Sequence, residues 1–490
     1  MTQFNIMTKQ HVKVANIKHS KALFVTTLNL TLSAVLFSGT AQAEEQDLTY
    51  IEELGKRLFF ENISEPTRQS CSSCHHPGAG GTNGVSGVNK KQVAVTGADP
   101  HTVGTLKPPT NKYVQFLTED GQVNGLPNFD SCGTFPTGVC GGAFWNGRAK
   151  GDSTEDLGIF INDHYKNLYS KYQGPMTDQA HASPFINPVE QGIGEGTEGK
   201  IATCKHVENT KWGVELYEYS WGLKLNCNEK QIDQVFARFA VSLGAWQMSY
   251  ENNPYDSKRD IALKNDSDGR FPLDDFTKQE NLGHDLFYGV AENRDDLQFG
   301  QGRCGFCHRS GNRQGTSEFE RYSDDSYHNI GIPRNYEIPG RPEADEGLHA
   351  TTKKMEELTN PVHLGSHKTP TLRNVDLRLG KGTTKAYGHN GYFKSLESIV
   401  HFYNTAIAKE SCESKGIVEA TEKEALANNC WPAPEFGDTS ALGFIGNLGL
   451  THEDEAAIVA YLKTLSDTSI VTQPKPYKSQ KYDESRLSRN

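Results

Sequence analysis

Apolar residues fall along this chain mostly in helical register. Leu48, Ile51, Leu54 and Leu58 recur at three- and four-residue intervals, the spacing of a helix with one buried face. Ile232, Val235, Phe236, Phe239, Leu243 and Trp246 do the same further on. Thr277 followed by Glu280 is a capping box, and it opens a helix bearing Leu282, Leu286 and Phe287. Leu396, Ile399, Val400 and Tyr403 form another stripe, and Thr451 opens a last helix with Ile458, Leu462 and Leu465. Between these lie long connections rich in Gly, Pro and Asn, with almost no strand alternation. The polar stretch Glu251–Arg270 reads as a linker. The pattern predicts a mostly α chain with an N-terminal lobe over 44–270, a C-terminal lobe over 271–470 and a polar tail over 471–490.

The first 43 residues read differently. They hold Lys9, Lys13, Lys18 and Lys21, no acid, an apolar run from Ala22 to Phe37, and then Ala41-Gln42-Ala43. This predicts a cleaved secretory signal peptide over 1–43. As a membrane anchor the run is short, and Thr26, Thr27, Asn29, Thr31 and Ser33 interrupt it. Loss of the four lysines takes the formal charge from −11 to −15. A soluble, exported and acidic protein follows, with no membrane span after cleavage. Such a surface disfavours nucleic acid and suits a small basic partner or a neutral substrate.

Candidate chemistry centres on two pentads, Cys71-Ser72-Ser73-Cys74-His75 and Cys304-Gly305-Phe306-Cys307-His308. In C-x-x-C-H the two thiols can each add to a vinyl group of haem, while the histidine ligates the iron. A disulfide redox pair needs no histidine, and half a zinc site lacks a second C-x-x-C here. Two covalent c-type haems are therefore predicted, in a layout of helix, pentad, glycine-rich loop and helix that occurs twice. The other six cysteines fall as the local pairs Cys132 with Cys140, Cys204 with Cys227 and Cys412 with Cys430. Six cysteines allow fifteen connectivities, and these short loops suit an oxidising compartment. With 35% hydrophobic residues and 47 glycines, the chain is poor in core side chains, so two macrocycles would complete its interior.

Further motifs carry a family resemblance across most of the chain after residue 43. They are Phe144-Trp145-Asn146-Gly147-Arg148-Ala149, Asn187-Pro188-Val189-Glu190, the second pentad, Lys368-Thr369-Pro370-Thr371-Leu372-Arg373-Asn374-Val375, Tyr387-x-His389-Asn390-Gly391, Phe402-Tyr403-Asn404, and Leu448-Gly449-Leu450-Thr451 leading to Ala460-Tyr461-Leu462. In these the chain resembles the bacterial dihaem cytochrome c peroxidases, including the MauG-type branch. The resemblance implies that the His75 haem is peroxidatic, with Glu190 above its iron and Gln179 one loop upstream. A carboxylate there would take a proton from the near oxygen of peroxide and return it to the far one. Trp145 corresponds to the tryptophan between the haems, a conduit for electrons or holes. In other settings a Glu in a Pro-flanked loop is merely solvated and a Trp in a Gly-rich loop is a packing anchor.

Departures from the family pattern also carry information. Ser86-Gly87 is followed by Val88 where peroxidases with a reductive switch carry a distal histidine, leaving His101 or no residue as sixth ligand of the first haem. His76 is expected at the surface. The segment Lys150–Thr177 is longer than the resemblance implies, and is expected to cover a pocket mouth or a docking face. At the second haem, Tyr403 stands where other members place a methionine, as in the MauG-type branch. A phenolate would favour the ferric state, the alternative being a core tyrosine; Met355 and His328 are outside candidates. The resemblance further implies calcium between the domains, on backbone carbonyls of Thr384 and Ala386, but Lys107 occupies the place of the expected asparagine ligand.

Taken together these features predict a periplasmic dihaem peroxidase that reduces hydrogen peroxide with electrons from a cytochrome c or cupredoxin. Metal ligation falls to His75, His308 and Tyr403, and a homodimer is allowed. The competing readings are a MauG-like oxidase of a protein or organic substrate and a non-enzymatic dihaem electron carrier.

Overall fold

A computed structural model describes residues 48–117, 123–134, 136–182, 187–291, 302–355 and 357–488. The signal-peptide reading of residues 1–43 lies outside them.

Helices dominate, and the expected ones form for the expected reasons. Thr49 caps the Tyr50–Phe60 helix by a reciprocal bond with Glu52, so the helix starts after Leu48 rather than at it. Thr277 and Glu280 cap Lys278–Tyr288 in the same way. Ile232–Gln247, Leu396–Thr405 and His452–Lys463 supply the other predicted stripes. None of the described helices is long and apolar enough to cross a membrane.

The repeated layout extends to side-chain detail. Six residues after each capping threonine stands a glycine, Gly55 and Gly283. A Cβ on Gly55 would collide with the Ser242 carbonyl, and one on Gly283 with the Ala457 carbonyl. Each glycine lets the helix before a pentad lie against the last helix of its own half. Two hydrophobic cores result. One gathers Leu54, Leu58, Phe59, Phe239 and Trp246, the other Leu286, Phe287, Ile458, Tyr461 and Leu462.

The segment between the cores departs from the linker reading. Glu251–Arg270 contains the capped helix Lys258–Asn265, whose Arg259 and Asp260 are buried. Arg373 forks onto Asp260 at 2.7 and 3.0 Å and donates from Nε to the Glu320 carbonyl at 2.6 Å. Its polar residues are the joint itself, which a periodicity reading takes for solvated chain because their partners are remote in sequence. The tail is polar as expected, yet it is fastened down. Val471 and Leu487 enter the first core, Tyr482 stacks on Tyr50 with centroids 5.8 Å apart, and Arg486 donates to the Leu48 carbonyl at 2.7 Å.

Lys150–Thr177 also turns inward. Ile159, Tyr169 and Tyr172 of this segment are buried in the first core, and of its residues Met176 alone lines a cavity described below. Among the described residues strands are limited to short antiparallel pairs, of which Tyr327–His328 with His367–Lys368 matters most. It sets His328 opposite His367. All three local cysteine pairs are joined, and Cys71, Cys74, Cys304 and Cys307 stay free.

Candidate active site

Each pentad is one tight turn. Cys71–Cys74 forms a single helical turn and Cys304–Phe306 a 3₁₀ turn. The His75 and His308 N–H groups donate to the carbonyls of Cys71 and Cys304, each at 2.9 Å. His75 Nδ1 lies 3.1 Å from the Gly81 carbonyl and His308 Nδ1 lies 3.0 Å from the Tyr322 carbonyl. A carbonyl only accepts, so Nδ1 carries the proton and Nε2 is left with a free lone pair, the arrangement of a metal-ligating imidazole. Burial pulls both histidines below the ordinary value, which favours the neutral ligand form. It also pushes the Cys71, Cys74 and Cys304 thiols up to about 12.

A long, largely apolar cavity begins at the second pentad. Cys304, Cys307, His308, Phe287, Ile399, Val400, Tyr403 and Leu462 line it, and it continues past Trp145, His367 and His389 to Lys107, Gly80 and Thr82. A smaller cavity is lined by Phe144, Trp145, Met176, Gln179, Pro109 and Thr110. Four thiols outside disulfides and two histidines whose Nδ1 bonds a carbonyl fit haem attachment at both pentads, and at the second the large cavity supplies apolar walls.

Glu190 faces the first pentad. Asn187 Oδ1 accepts from the N–H groups of Val189 and Glu190 at 2.7 and 3.1 Å, and Ala98 N–H donates to the Glu190 carbonyl at 2.8 Å. This turn aims a carboxylate whose charge raises both the Cys71 and Cys74 thiols. The Glu190 side chain is open to solvent on one side, yet surrounding protein pushes its carboxyl above the ordinary value, with Arg148 pulling the other way. Arg148 lies over the Phe144 ring at 3.5 Å and also feels the charge of Asp345. Phe144 has φ +65°, a conformation that costs a non-glycine residue energy, directly before Trp145. Gln179 is half-buried in the Pro175–Ala182 helix, across the smaller cavity from the same loop.

Trp145 sits between the halves and is 7% exposed. Its Nε1–H donates to the Lys107 carbonyl at 2.7 Å, and its own carbonyl accepts from Lys368 N–H at 2.9 Å. Lys107-Pro108-Pro109-Thr110 and Lys368-Thr369-Pro370-Thr371 are thus equivalent loops gripping one tryptophan. The repeated Lys-x-Pro-Thr is visible in the sequence and was the signal for this grip.

Beside the indole, His367 and His389 stack with centroids 3.5 Å apart and planes at 9°. His367 Nε2 bonds Asp345 at 2.9 Å and His389 Nε2 bonds Glu435 at 2.8 Å. Both rings meet the Trp145 ring edge-on, at 6.5 Å. Sequence reasoning missed this pair, since only folding brings the two segments together.

Tyr403 lines the large cavity with Cys304, Cys307 and His308, and burial raises its hydroxyl well above the ordinary value. His328 lines it too, but its Nε2 lies 3.0 Å from Asp324 and 2.8 Å from Ser326. Among the described residues Cys307, Asp324 and His328 form the one His/Cys/Asp/Glu cluster with converging ligand atoms, and Cys307 belongs to a pentad. Met355 lines neither cavity. His101 is exposed on a turn and lines neither, and His76 is half-buried, accepting from Gly78 N–H at 3.1 Å. Val88 lies in the Ser86–Lys91 helix, which Ser86 and Asn89 clip to the backbone of Thr384.

The calcium ligands implied by resemblance do not suit calcium. Lys107 brings an ammonium, the Thr384 carbonyl already accepts from Asn89 Nδ2 at 3.0 Å, and Lys385, between Thr384 and Ala386, brings a second ammonium. A hard cation needs oxygen ligands.

Residues 50–268 match the family model described as di-haem cytochrome c peroxidase. Over that stretch the chain is similar to the family. This dihaem oxidoreductase is 27% identical over 443 residues to methylamine utilization protein MauG of Paracoccus denitrificans, covering 88% of the chain and 92% of that protein. It is 23% identical over 390 residues to cytochrome-c peroxidase IdrP2 of Denitromonas iodatirespirans, covering 76% and 78%. In fold the dihaem chain resembles the diheme peroxidase BthA from Burkholderia thailandensis, with a TM-score of 0.58, 24% identity and 86% of each chain covered. A MauG-like protein associated with microbial copper homeostasis aligns at a TM-score of 0.51 and 20% identity, over 90% of this chain and 93% of that one.

Proposed function

We propose that this dihaem peroxidase-family enzyme is exported to the periplasm, holds both haems through Cys71, Cys74, Cys304 and Cys307, and reduces hydrogen peroxide at the His75 side with electrons from a small redox protein. The observation that carries the reading is Glu190, aimed at the first pentad with a raised carboxyl pKa and Arg148 beside it. Haem held there supplies an iron that binds peroxide and exchanges electrons.

The residues supply the proton handling. Ionised Glu190 accepts the proton of the near peroxide oxygen and returns it to the far oxygen, so that water departs; two electrons and two further protons complete the conversion to two waters. Arg148 holds positive charge beside the carboxylate, and Gln179 offers an amide across the smaller cavity. Trp145, gripped by both Pro-Thr loops, fills the space between the two sites.

The test is Glu190→Gln. Haem content and resting spectrum are retained, and the peroxide-driven step slows by about 10²- to 10⁴-fold, the usual loss for a general acid–base group. Reaction at the parent rate would reduce the glutamate to a structural role.

A MauG-like reading, in which peroxide drives oxidation of a protein or organic substrate, is favoured by Tyr403. Tyr403 lines the cavity shared with His308, and phenolate ligation there would stabilise oxidised iron. The match to MauG over most of the chain supports the same reading.

A further inference from the structure

We propose that the positive charge between the two haem sites is built into the chain as the ammonium groups of Lys107 and Lys385, and that no calcium ion serves there. The proposal rests on the dihaem reading for its setting only.

Lys385 is 5% exposed. Its Nζ donates to three backbone carbonyls, Ala79 at 3.0 Å, Asn374 at 2.8 Å and Leu377 at 3.1 Å. Burial and the charge of Lys107 pull Lys385 well below the ordinary lysine value, but three carbonyl acceptors around one nitrogen call for three protons, so the cage favours the ammonium over a neutral amine with two. Ala79 lies in the loop after the first pentad, whereas Asn374 and Leu377 follow the second Pro-Thr loop. One cation therefore draws carbonyl oxygens from both halves onto a single point, which is what an oxygen-liganded metal would do. The fit is close on its open side as well: Gly80 has φ +69°, and a Cβ there would lie 3.3 Å from Nζ and against Asn374. Among the described residues no carboxylate joins the cage. Asp467 is taken by Lys112, Tyr113 and Asn374, and Asp376 by Arg378.

Lys107 completes the arrangement. Its backbone is fixed at both ends, N–H to the His389 carbonyl at 2.8 Å and carbonyl to the Trp145 indole. Lys107 lines the cavity that extends from the second pentad, and its charge adds to burial in pulling both His75 and Lys385 below their ordinary values. A divalent ion placed here would meet two like charges in a poorly solvated space. The tethered ammoniums exclude it and stand in for it.

The test uses the dihaem holoprotein, whose haem content is established spectroscopically first, so that failure of the dihaem reading is seen separately. After dialysis against calcium and then calcium-free buffer, elemental analysis should find no retained calcium, and EGTA should leave both resting electron paramagnetic resonance signals and the thermal midpoint unchanged. One calcium per chain whose removal alters either signal overturns the proposal. In calcium-free buffer Lys107→Gln, which removes the charge and is not needed for the carbonyl cage, should lower the reduction potential of at least one haem, because a nearby positive charge favours the reduced iron. Potentials identical to the parent's in both haems would overturn the assignment of that charge to Lys107. Lys385→Met should lower the thermal midpoint by leaving three buried carbonyls without a donor, and a midpoint equal to the parent's would overturn its part.

Discussion

The Trp145 indole N–H and the Lys107 carbonyl meet at 2.7 Å, which fixes the ring to the loop that follows the first pentad, while Lys368 fixes the same residue's backbone to the loop that follows the second. Trp145→Phe keeps an aromatic ring and removes the donor. The half-buried Lys107 carbonyl then loses its partner, at about 1 kcal/mol, and electron exchange between the halves slows while haem content is retained. Stopped-flow reduction of each haem checks this; unchanged exchange would make the tryptophan a packing residue.

Haem attachment is tested by counting. With Cys71 and Cys74 both replaced by alanine, one haem should remain with the polypeptide under denaturing conditions, against two for the parent. Two retained haems would remove the first pentad as an attachment site.

Tyr403 separates the two enzyme readings. Tyr403→Phe keeps the ring and deletes the oxygen, so a ligating tyrosine leaves the His308 iron with an altered resting electron paramagnetic resonance signal and a higher reduction potential. A signal identical to the parent's returns Tyr403 to the cavity wall and the function to simple peroxide reduction.

Acidity should affect activity and stability differently. Burial holds the Glu190 carboxyl above the usual carboxylate range despite Arg148, so its base form is lost at a higher pH than an exposed glutamate's. The peroxide step should fall through that raised value as pH drops, and Glu190→Gln should lack the limb.

Asp325 behaves in the opposite sense. Burial alone would raise it, but Arg321 and Lys368 outweigh burial and hold it to about 2, below its ordinary 3.8. Its contribution is present above the ordinary value and is lost as pH falls toward the lowered one. Asp325→Asn, which removes the negative charge facing the buried Arg321 and Lys368, should cost about 3–5 kcal/mol at neutral pH and flatten the acid limb of a denaturation profile.

Local signals in the sequence carried the helices, because a capping box such as Thr277 with Glu280 and an apolar stripe are written within a few residues of each other. They also carried the pentads, whereas Asn187-Pro188-Val189-Glu190 stood out only through the family resemblance, and its turn, with Asn187 accepting from Glu190 N–H, is seen in the structure. What they could not carry is pairing at a distance. Asp260 looks like a surface acid until Arg373 is brought onto it from 113 residues away, and His367 and His389 look unrelated until their rings stack. The duplicated Thr-x-x-Glu-x-x-Gly at Thr49 and Thr277 was legible, but only the helix crossings show why a glycine stands at its end.

The fastened tail bears on the order of biosynthesis. Leu487 and Val471 complete a core whose other members are made far earlier, and Arg486 closes onto Leu48 at the opposite end of the described chain. A ribosome delivers the N-terminal half first, yet that half cannot be finished until Arg486 and Leu487 have emerged. Truncation near residue 470 would therefore injure the lobe made first, not the one made last.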